Sequence, residues 1–254
     1  MKKIQKAAEP ILLKKYRHKT PDNTWDKFKE KRGRRQQLKQ QLISDQGGIC
    51  AYCEIDLKEA NAHGNADYRV EHFHPKSDHS TEHNWHLDWS NLLACCHGGN
   101  NRTVVETSTR YTNPDCSCDV PKDSKNLDNL ILNPLHIPAF PTVFRFDRST
   151  GKPQVNEDCV DAGIERKKIE STIFELRLDA SRLNRLRKPL LDKLNEEVKL
   201  SVQSGLSIGD AKDQLARIHL RKDTNGHWPK FFSSIRSYLG NSAEKHLRSI
   251  HFNG

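Results

Sequence analysis

The sequence predicts an α+β protein in three parts: a basic N-terminal arm and helix over residues 1–46, a small metal-stapled core of short strands over 47–135, and a hairpin plus helical C-terminal subdomain over 136–254. Three observations lead there. Six of the seven cysteines fall between residues 50 and 122. Residues 1–35 hold thirteen Lys/Arg against four Asp/Glu, which accounts for the whole formal excess of +9. From about Ala162 onward, Leu and Ile recur at three- and four-residue spacing, the period of an amphipathic helix.

Composition narrows the class. A chain of 254 residues with 34% hydrophobic and 30% charged residues is polar but long enough to bury a core. No apolar run reaches the length of a membrane span, and the basic start Met1-Lys-Lys-Ile-Gln-Lys6 lacks the apolar segment of a secretory signal. The expectation is a cytoplasmic protein without a membrane partner. Thiols stay reduced there, so clustered cysteines point to metal binding before disulfides. The charge concentrated in the first 35 residues points to nucleic-acid phosphate or an acidic partner.

In chain order, residues 1–24 contain Pro10, Pro21 and an apolar patch at Ile11-Leu-Leu13 but no sustained period, so a partly irregular arm lying across the domain is expected. Trp25, Phe28, Leu38, Leu42 and Ile43 predict a helix from Trp25 to Gln46, ended by Gly47-Gly48. Cys50-Ala-Tyr-Cys53 follows on a tight turn, where two thiolates reach one tetrahedral ion at about 2.3 Å. Tyr68-Arg-Val70 is extended and delivers Glu71-His72 to a strand end. Ser77 to His86 reads as a polar loop, with His79, His83 and His86 solvated or facing phosphate. Leu87 to Cys96 supplies a second extended piece with Asn91 near its start, and a polar stretch then leads to Cys116-Ser-Cys118-Asp119.

The C-terminal half is expected to open with a hairpin at Thr142 to Phe146 and Gly151. Ile169, Ile173 and Leu176 form one helical stripe, and Leu183, Leu186, Leu190 and Leu194 the next, with Asp179 or Ser181 as the N-cap between them. Ser207-x-x-Asp210 is a capping box, and Pro229 opens a last helix that closes at Gly240. These stripes read as core. No phosphate-binding glycine loop is present, so the chain carries no recognisable nucleotide-hydrolysis motif.

Glu71-His72-x-x-Pro75 followed by Asn91-Leu-Leu, framed by cysteine pairs, resembles the HNH endonucleases with their ββα-metal fold. Gln46 before Cys-Ala-Tyr-Cys-Glu, with Asp88-Trp-Ser-Asn91 and Cys118-Asp119-x-x-Lys122, is similar to the HNH subunits of Septu-type and retron-associated anti-phage defence systems. The resemblance implies a structural Zn²⁺ on Cys50, Cys53, Cys96 and Cys118, a catalytic Mg²⁺ or Mn²⁺, a nucleic-acid substrate (DNA favoured, RNA possible), and a separate ATPase partner. The family opens its last helix with a compact Cys-x-x-Cys. Here some twenty polar residues separate Cys96 from Cys118, which leaves Cys95 or Cys116 as rival ligands and His97 or Asn100 as rivals to Asp119. Cys159 reads as a buried thiol.

Phosphodiester hydrolysis needs an activated water and charge stabilisation at phosphorus and at the leaving oxygen. Glu71 and Asp119 suit a hard cation that serves the second need. His72 suits the first, because imidazole titrates near neutral pH. Neighbouring strand residues point to opposite faces, so Glu71 and His72 share a site only where the strand ends. By the resemblance Asn91 braces the loop that orients His72, and Lys122 contacts phosphate as a point charge. His74 stands between substrate contact and plain surface. A zinc-finger module that binds without cutting is the rival, since the same cysteines and arm would serve it.

Overall fold

The computed structural model describes residues 1–254. The N-terminal segment lies against the core, as expected of the arm, and its apolar patch forms a helix, α1 (Ile11–Lys19), that no sustained period signalled. Met1, Ile4 and Leu13 are buried, and Ile4 N–H donates to the Pro134 carbonyl at 2.8 Å. Lys6 places its ammonium on the Trp89 and Leu92 carbonyls and over the Trp89 ring at 3.9 Å. Lys2 is only 4% exposed. Part of the basic arm is therefore committed to the protein's own interior, while Lys14, Lys15, Arg17 and Lys19 face solvent.

The single helix expected from Trp25 to Gln46 is two: α2 (Trp25–Lys29) and α3 (Arg32–Gln46). Six of the nine residues between Phe28 and Leu38 are charged and none is apolar, so nothing in that stretch packs and like charges oppose a continuous helix. Thr24 caps α2 by accepting from Lys27 N–H, and Gly47 ends α3 at φ +67, receiving the chain in the left-handed conformation glycine tolerates. Gln46, at the end of α3, acts like a piece of strand. Its Nε2 donates to the Ala94 carbonyl at 2.8 Å while its Oε1 accepts from Ala94 N–H at 2.7 Å.

Two short antiparallel strands carry the site: β1 (Arg69–His72) and β2 (Leu92–Cys95), with Glu71 opposite Leu93 and His72 opposite Leu92. A turn of 3₁₀ helix, Trp89–Asn91, leads into β2. The stretch after Cys96 is held in place: Arg110, on α4 (Thr107–Arg110), reaches back to Asp67 and Asp56 at 2.7 Å each. Next comes a single helical turn, α5 (Asp119–Lys122), bracketed by Cys118 and Asp123, both at positive φ. Two non-glycine residues in that region cost backbone energy, a cost that typically gathers at functional sites.

The expected hairpin is present as β3 (Phe144–Phe146) and β4 (Pro153–Val155). It is followed by α6 (Glu157–Asp161), α7 (Arg166–Glu175), α8 (Ser181–Gln203) and α9 (Ile208–His219). Ser181 is the first residue of α8 and Ala180 its N-cap, with no side-chain cap. Ser207 does cap α9, accepting from Asp210 N–H at 3.1 Å. Gly240 closes α10 (Phe232–Leu239), but α11 (Asn241–Ser249) follows at once and buries Ala243 and Leu247. The apolar interior forms two clusters. The larger runs from Met1 through the strands and the hairpin to Leu183. The smaller joins Ile49 to the second half of α8 and to α9, α10 and α11. No helix is long and apolar enough to cross a membrane.

Candidate functional site

A cleft of about 450 Å³ opens between β1 and α5, lined by Glu71, His72, Asp119, Asp123, Arg69, Lys76 and Trp25 among others. Because β1 stops at His72, Glu71 and His72 both reach it despite their adjacency. Asp119, the first residue of α5, enters from the other side.

The charges in the cleft are tightly coupled. Lys122, 1% exposed, sets its ammonium 2.9 Å from Glu71 Oε1 and donates to the His72 carbonyl at 3.0 Å. This buried cation has no exposed face for the phosphate contact expected of it; it holds the end of β1 instead. Asp119 Oδ2 meets Arg69 Nε at 2.5 Å, and its other oxygen, Oδ1, is buried with no hydrogen-bond partner. Burial drives the Glu71 carboxyl up to about 7 against the pull of Lys122, and it raises Asp119 against the pull of Arg69. Burial also lowers His72 to about 3, so its imidazole stays neutral at physiological pH. Its Nε2 faces the His86 carbonyl at 3.2 Å. A carbonyl oxygen only accepts, so Nε2 carries the ring proton and Nδ1 keeps the free lone pair. The edge of Trp25 packs on the ring, centroids 5.6 Å apart.

Asn91 ties down the chain beyond His72. Its Oδ1 accepts from His74 N–H at 2.6 Å, and its Nδ2 donates to the His74 and Trp85 carbonyls, each at 3.0 Å. His74 is not surface. It is 6% exposed, stacked on Trp85 at 3.8 Å, with Nδ1 on Asp128 at 2.7 Å and Nε2 on Asp78 at 3.0 Å. His83 pairs with Asp88 at 2.8 Å, and His86 accepts from Trp25 N–H at 3.3 Å through Nδ1. His97 lies outside the cleft lining and donates its backbone N–H to Asp67 at 3.1 Å.

Behind the cleft, five buried thiols form one cluster. Cys53 and Cys96 lie 3.7 Å apart, Cys96 and Cys118 3.7 Å, Cys50 and Cys118 3.9 Å, and Cys50 and Cys95 3.6 Å. Four thiolates around one tetrahedral ion at about 2.3 Å would stand about 3.8 Å apart, so the spacing fits such an ion. Cys50, Cys95, Cys96 and Cys118 converge within 4.8 Å of one another, with Cys53 beside Cys96. Cys116 stands apart, its Sγ against Asn113 Oδ1 at 3.7 Å, and Cys159 is a buried thiol elsewhere. Burial, reinforced by the neighbouring thiols, pushes the Cys53, Cys95 and Cys118 thiols well above their ordinary range. A bound cation reverses that, since a thiol that coordinates a metal is deprotonated.

Sequence reasoning missed Arg69, Lys76 and Trp25 as cleft residues. Arg69 carries a signal: two residues before Glu71 on a strand, it must share that residue's face. Lys76 follows Pro75 of the Glu71-His72 motif directly, whereas Trp25 carries no signal because it reaches the cleft from a separate segment.

No protein-family model matches the chain. The chain is 35% identical, over 261 aligned residues, to an Escherichia coli protein named "Retron Ec83 putative HNH endonuclease"; the alignment covers 94% of this chain and 93% of that relative.

Proposed function

The chain belongs to the HNH endonuclease family of retrons, and from that premise we propose that the cleft between β1 and α5 is its reaction centre. Phosphodiester bonds of nucleic acid, DNA in preference to RNA, are hydrolysed there, and the protein serves as effector of an anti-phage defence complex. The core is read as a ββα-metal unit in which β1, β2 and the single turn α5 are the three elements. The observation that supports this most is the convergence of Glu71, His72 and Asp119 on one cleft while Asn91 clasps the chain that follows.

The donor set is hard oxygen, and the unpartnered buried Asp119 Oδ1 is an acceptor without a proton to accept. Such a set suits Mg²⁺ or Mn²⁺ held by Glu71 and Asp119. When bound, the cation neutralises charge developing at phosphate and at the leaving oxygen. His72 receives the proton of the attacking water at Nδ1. Its Nε2–H stays anchored on the His86 carbonyl and Trp25 packs on its ring, so the base is oriented before substrate arrives. Lys122 holds Glu71 and the His72 carbonyl in register with each other. Arg69 and Lys76 bring positive charge to the cleft wall, and exposed Lys27, Lys31, Arg32 and Arg35 continue it along α2 and α3.

Zinc is assigned to Cys50, Cys96 and Cys118, with the fourth ligand either Cys53, as the resemblance implies, or Cys95, whose sulfur lies within 4.8 Å of the other three. Restraint of cleavage is assigned to a separate ATPase, the partner that the resemblance to Septu-type and retron-associated subunits implies. A module that only binds nucleic acid has no use for two carboxylates and a neutral imidazole in one cleft.

Supercoiled plasmid and a structured RNA, incubated with Mg²⁺ or Mn²⁺, test the reading. Wild type is expected to cut in a metal-dependent way, and Asp119→Asn to lose about 10²-fold or more of that rate, as expected when electrostatic stabilisation of the transition state is removed. Equal rates for the two proteins would remove Asp119 from the site.

A further inference from the structure

Two buried guanidiniums make no salt bridge to any carboxylate. Arg182 and Arg187, 1% and 2% exposed, lie about one and a half turns apart on α8. Arg182 donates from Nη2 to Ser117 Oγ at 2.8 Å, while its Nε has no partner. Arg187 donates from Nη1 to the Leu178 carbonyl at 2.7 Å and to Asn184 Oδ1 at 3.4 Å, and its Nε is likewise unpartnered. A guanidinium cannot shed its proton, so it must find negative charge or bear the full cost of desolvation.

The negative charge within reach is sulfur. Ser117 Oγ lies 3.6 Å from Cys118 Sγ. Arg182 has only protons to give, so Ser117 Oγ accepts from it and keeps its own hydroxyl proton to offer the sulfur when that sulfur is ionised. Arg182, Ser117 and Cys118 therefore form one hydrogen-bonded chain.

The long insertion between the cysteine pairs is folded to admit Arg182. Gly99, at φ +96, leaves room where a Cβ would come within 3.2 Å of Arg182 Nε. The insertion returns with Ser117 N–H on the Gly98 carbonyl at 2.9 Å, and Asp115 accepts the Arg182 backbone N–H at 2.9 Å.

Resting on the assignment of zinc to this cluster, we propose that Arg182, acting through Ser117, is the built-in counter-charge of a metal tetrathiolate. Four ionised cysteines around a divalent cation leave a dianion, and the buried Arg182 guanidinium offsets part of that charge. Arg182 and Ser117 are positioning residues: they touch neither nucleic acid nor the reacting atoms, and they fix the charge and orientation of a ligand, as partners one step out from a metal commonly do.

The test is zinc affinity, measured by competition with a chromophoric chelator on the full-length protein, for wild type, Ser117→Ala, Arg182→Met and Arg182→Lys. Wild type is expected to hold zinc. Arg182→Met is expected to lose about 10- to 100-fold in affinity, Ser117→Ala to lose less, and Arg182→Lys to recover part of the loss by restoring charge. If wild type binds no zinc, the metal assignment itself fails. If wild type binds zinc and Ser117→Ala and Arg182→Met bind it equally well, the counter-charge is overturned while the zinc site stands. Should Arg182→Met fail to fold, Ser117→Ala decides alone, since it removes one oxygen and little packing, and unchanged affinity there overturns the relay. The cobalt-substituted wild type adds a check on charge: thiolate-to-cobalt absorption of four ligands is expected, and the intensity of three or fewer contradicts the tetrathiolate.

Discussion

The thiol cluster and the cleft are built from the same short stretch of chain, yet they are finished in opposite ways. Every thiol of the cluster is at most 2% exposed, spaced for a tetrahedral ion and surrounded by apolar core. The cleft keeps an opening, a carboxylate oxygen without a partner, and carboxyls pushed up by burial. Structural metal sites close around their ion, whereas catalytic sites leave a position open for substrate. In this chain Cys118 and Asp119 are neighbours, so one peptide bond separates the two kinds of site.

The comparison breaks most visibly if the cluster is emptied. Chelator treatment or Cys118→Ser is expected to unfold the core, because binding of a structural zinc ion contributes about 10 kcal/mol or more, comparable to the whole stability of a domain. Asp119→Asn, whose Arg69 partner is partly exposed, should shift the melting temperature by only a few degrees. A cluster variant that melts where wild type does would show that the thiols are not a staple.

Smaller effects sharpen the boundary. Asn91→Ala removes three hydrogen bonds around His74 and Trp85 and leaves buried partners unmet, a loss of about 1–3 kcal/mol, together with slower cleavage as the loop beyond His72 loosens. Denaturant titration checks the first and a cleavage assay the second; unchanged values in both would mean that Asn91 braces nothing. Smallest of all, Lys14→Ala with Lys15→Ala should leave folding intact and flatten the salt dependence of nucleic-acid binding by about one unit of slope per lost phosphate contact. An unchanged slope assigns α1 to a protein partner or to solvent. Deleting residues 1–24 would not answer this, since Met1, Ile4 and Leu13 are part of the core.

Part of the cleft was legible from strand geometry and part from the family resemblance. Glu71-His72 needed a strand end, and β1 ends there; the brace that the resemblance implies for Asn91 corresponds to its hydrogen bonds to His74 on both sides of that residue. The hairpin and the apolar stripes of α7 to α10 were equally plain from period and turn residues. What stayed hidden depended on distant partners. Lys122 looked like a free cation because its neighbours in sequence do not reveal Glu71 fifty-one residues earlier. The helix α1 and the burial of Lys2 and Lys6 depend on carbonyls and apolar residues supplied by remote segments. The second arginine pattern, on α8, looks like an ordinary basic helix until the cysteine cluster is placed against it. A split helix at Glu30-Lys31 was legible in principle, as the absence of any apolar residue from 29 to 37.

The most direct test of the division between staple and cleft is the cleavage rate of His72→Ala protein that has first been shown to carry as much zinc as wild type and to melt at the same temperature. The account predicts a loss of about 10²- to 10⁴-fold, the usual worth of a positioned general base, with both structural readings unchanged. Cleavage at the wild-type rate would contradict it.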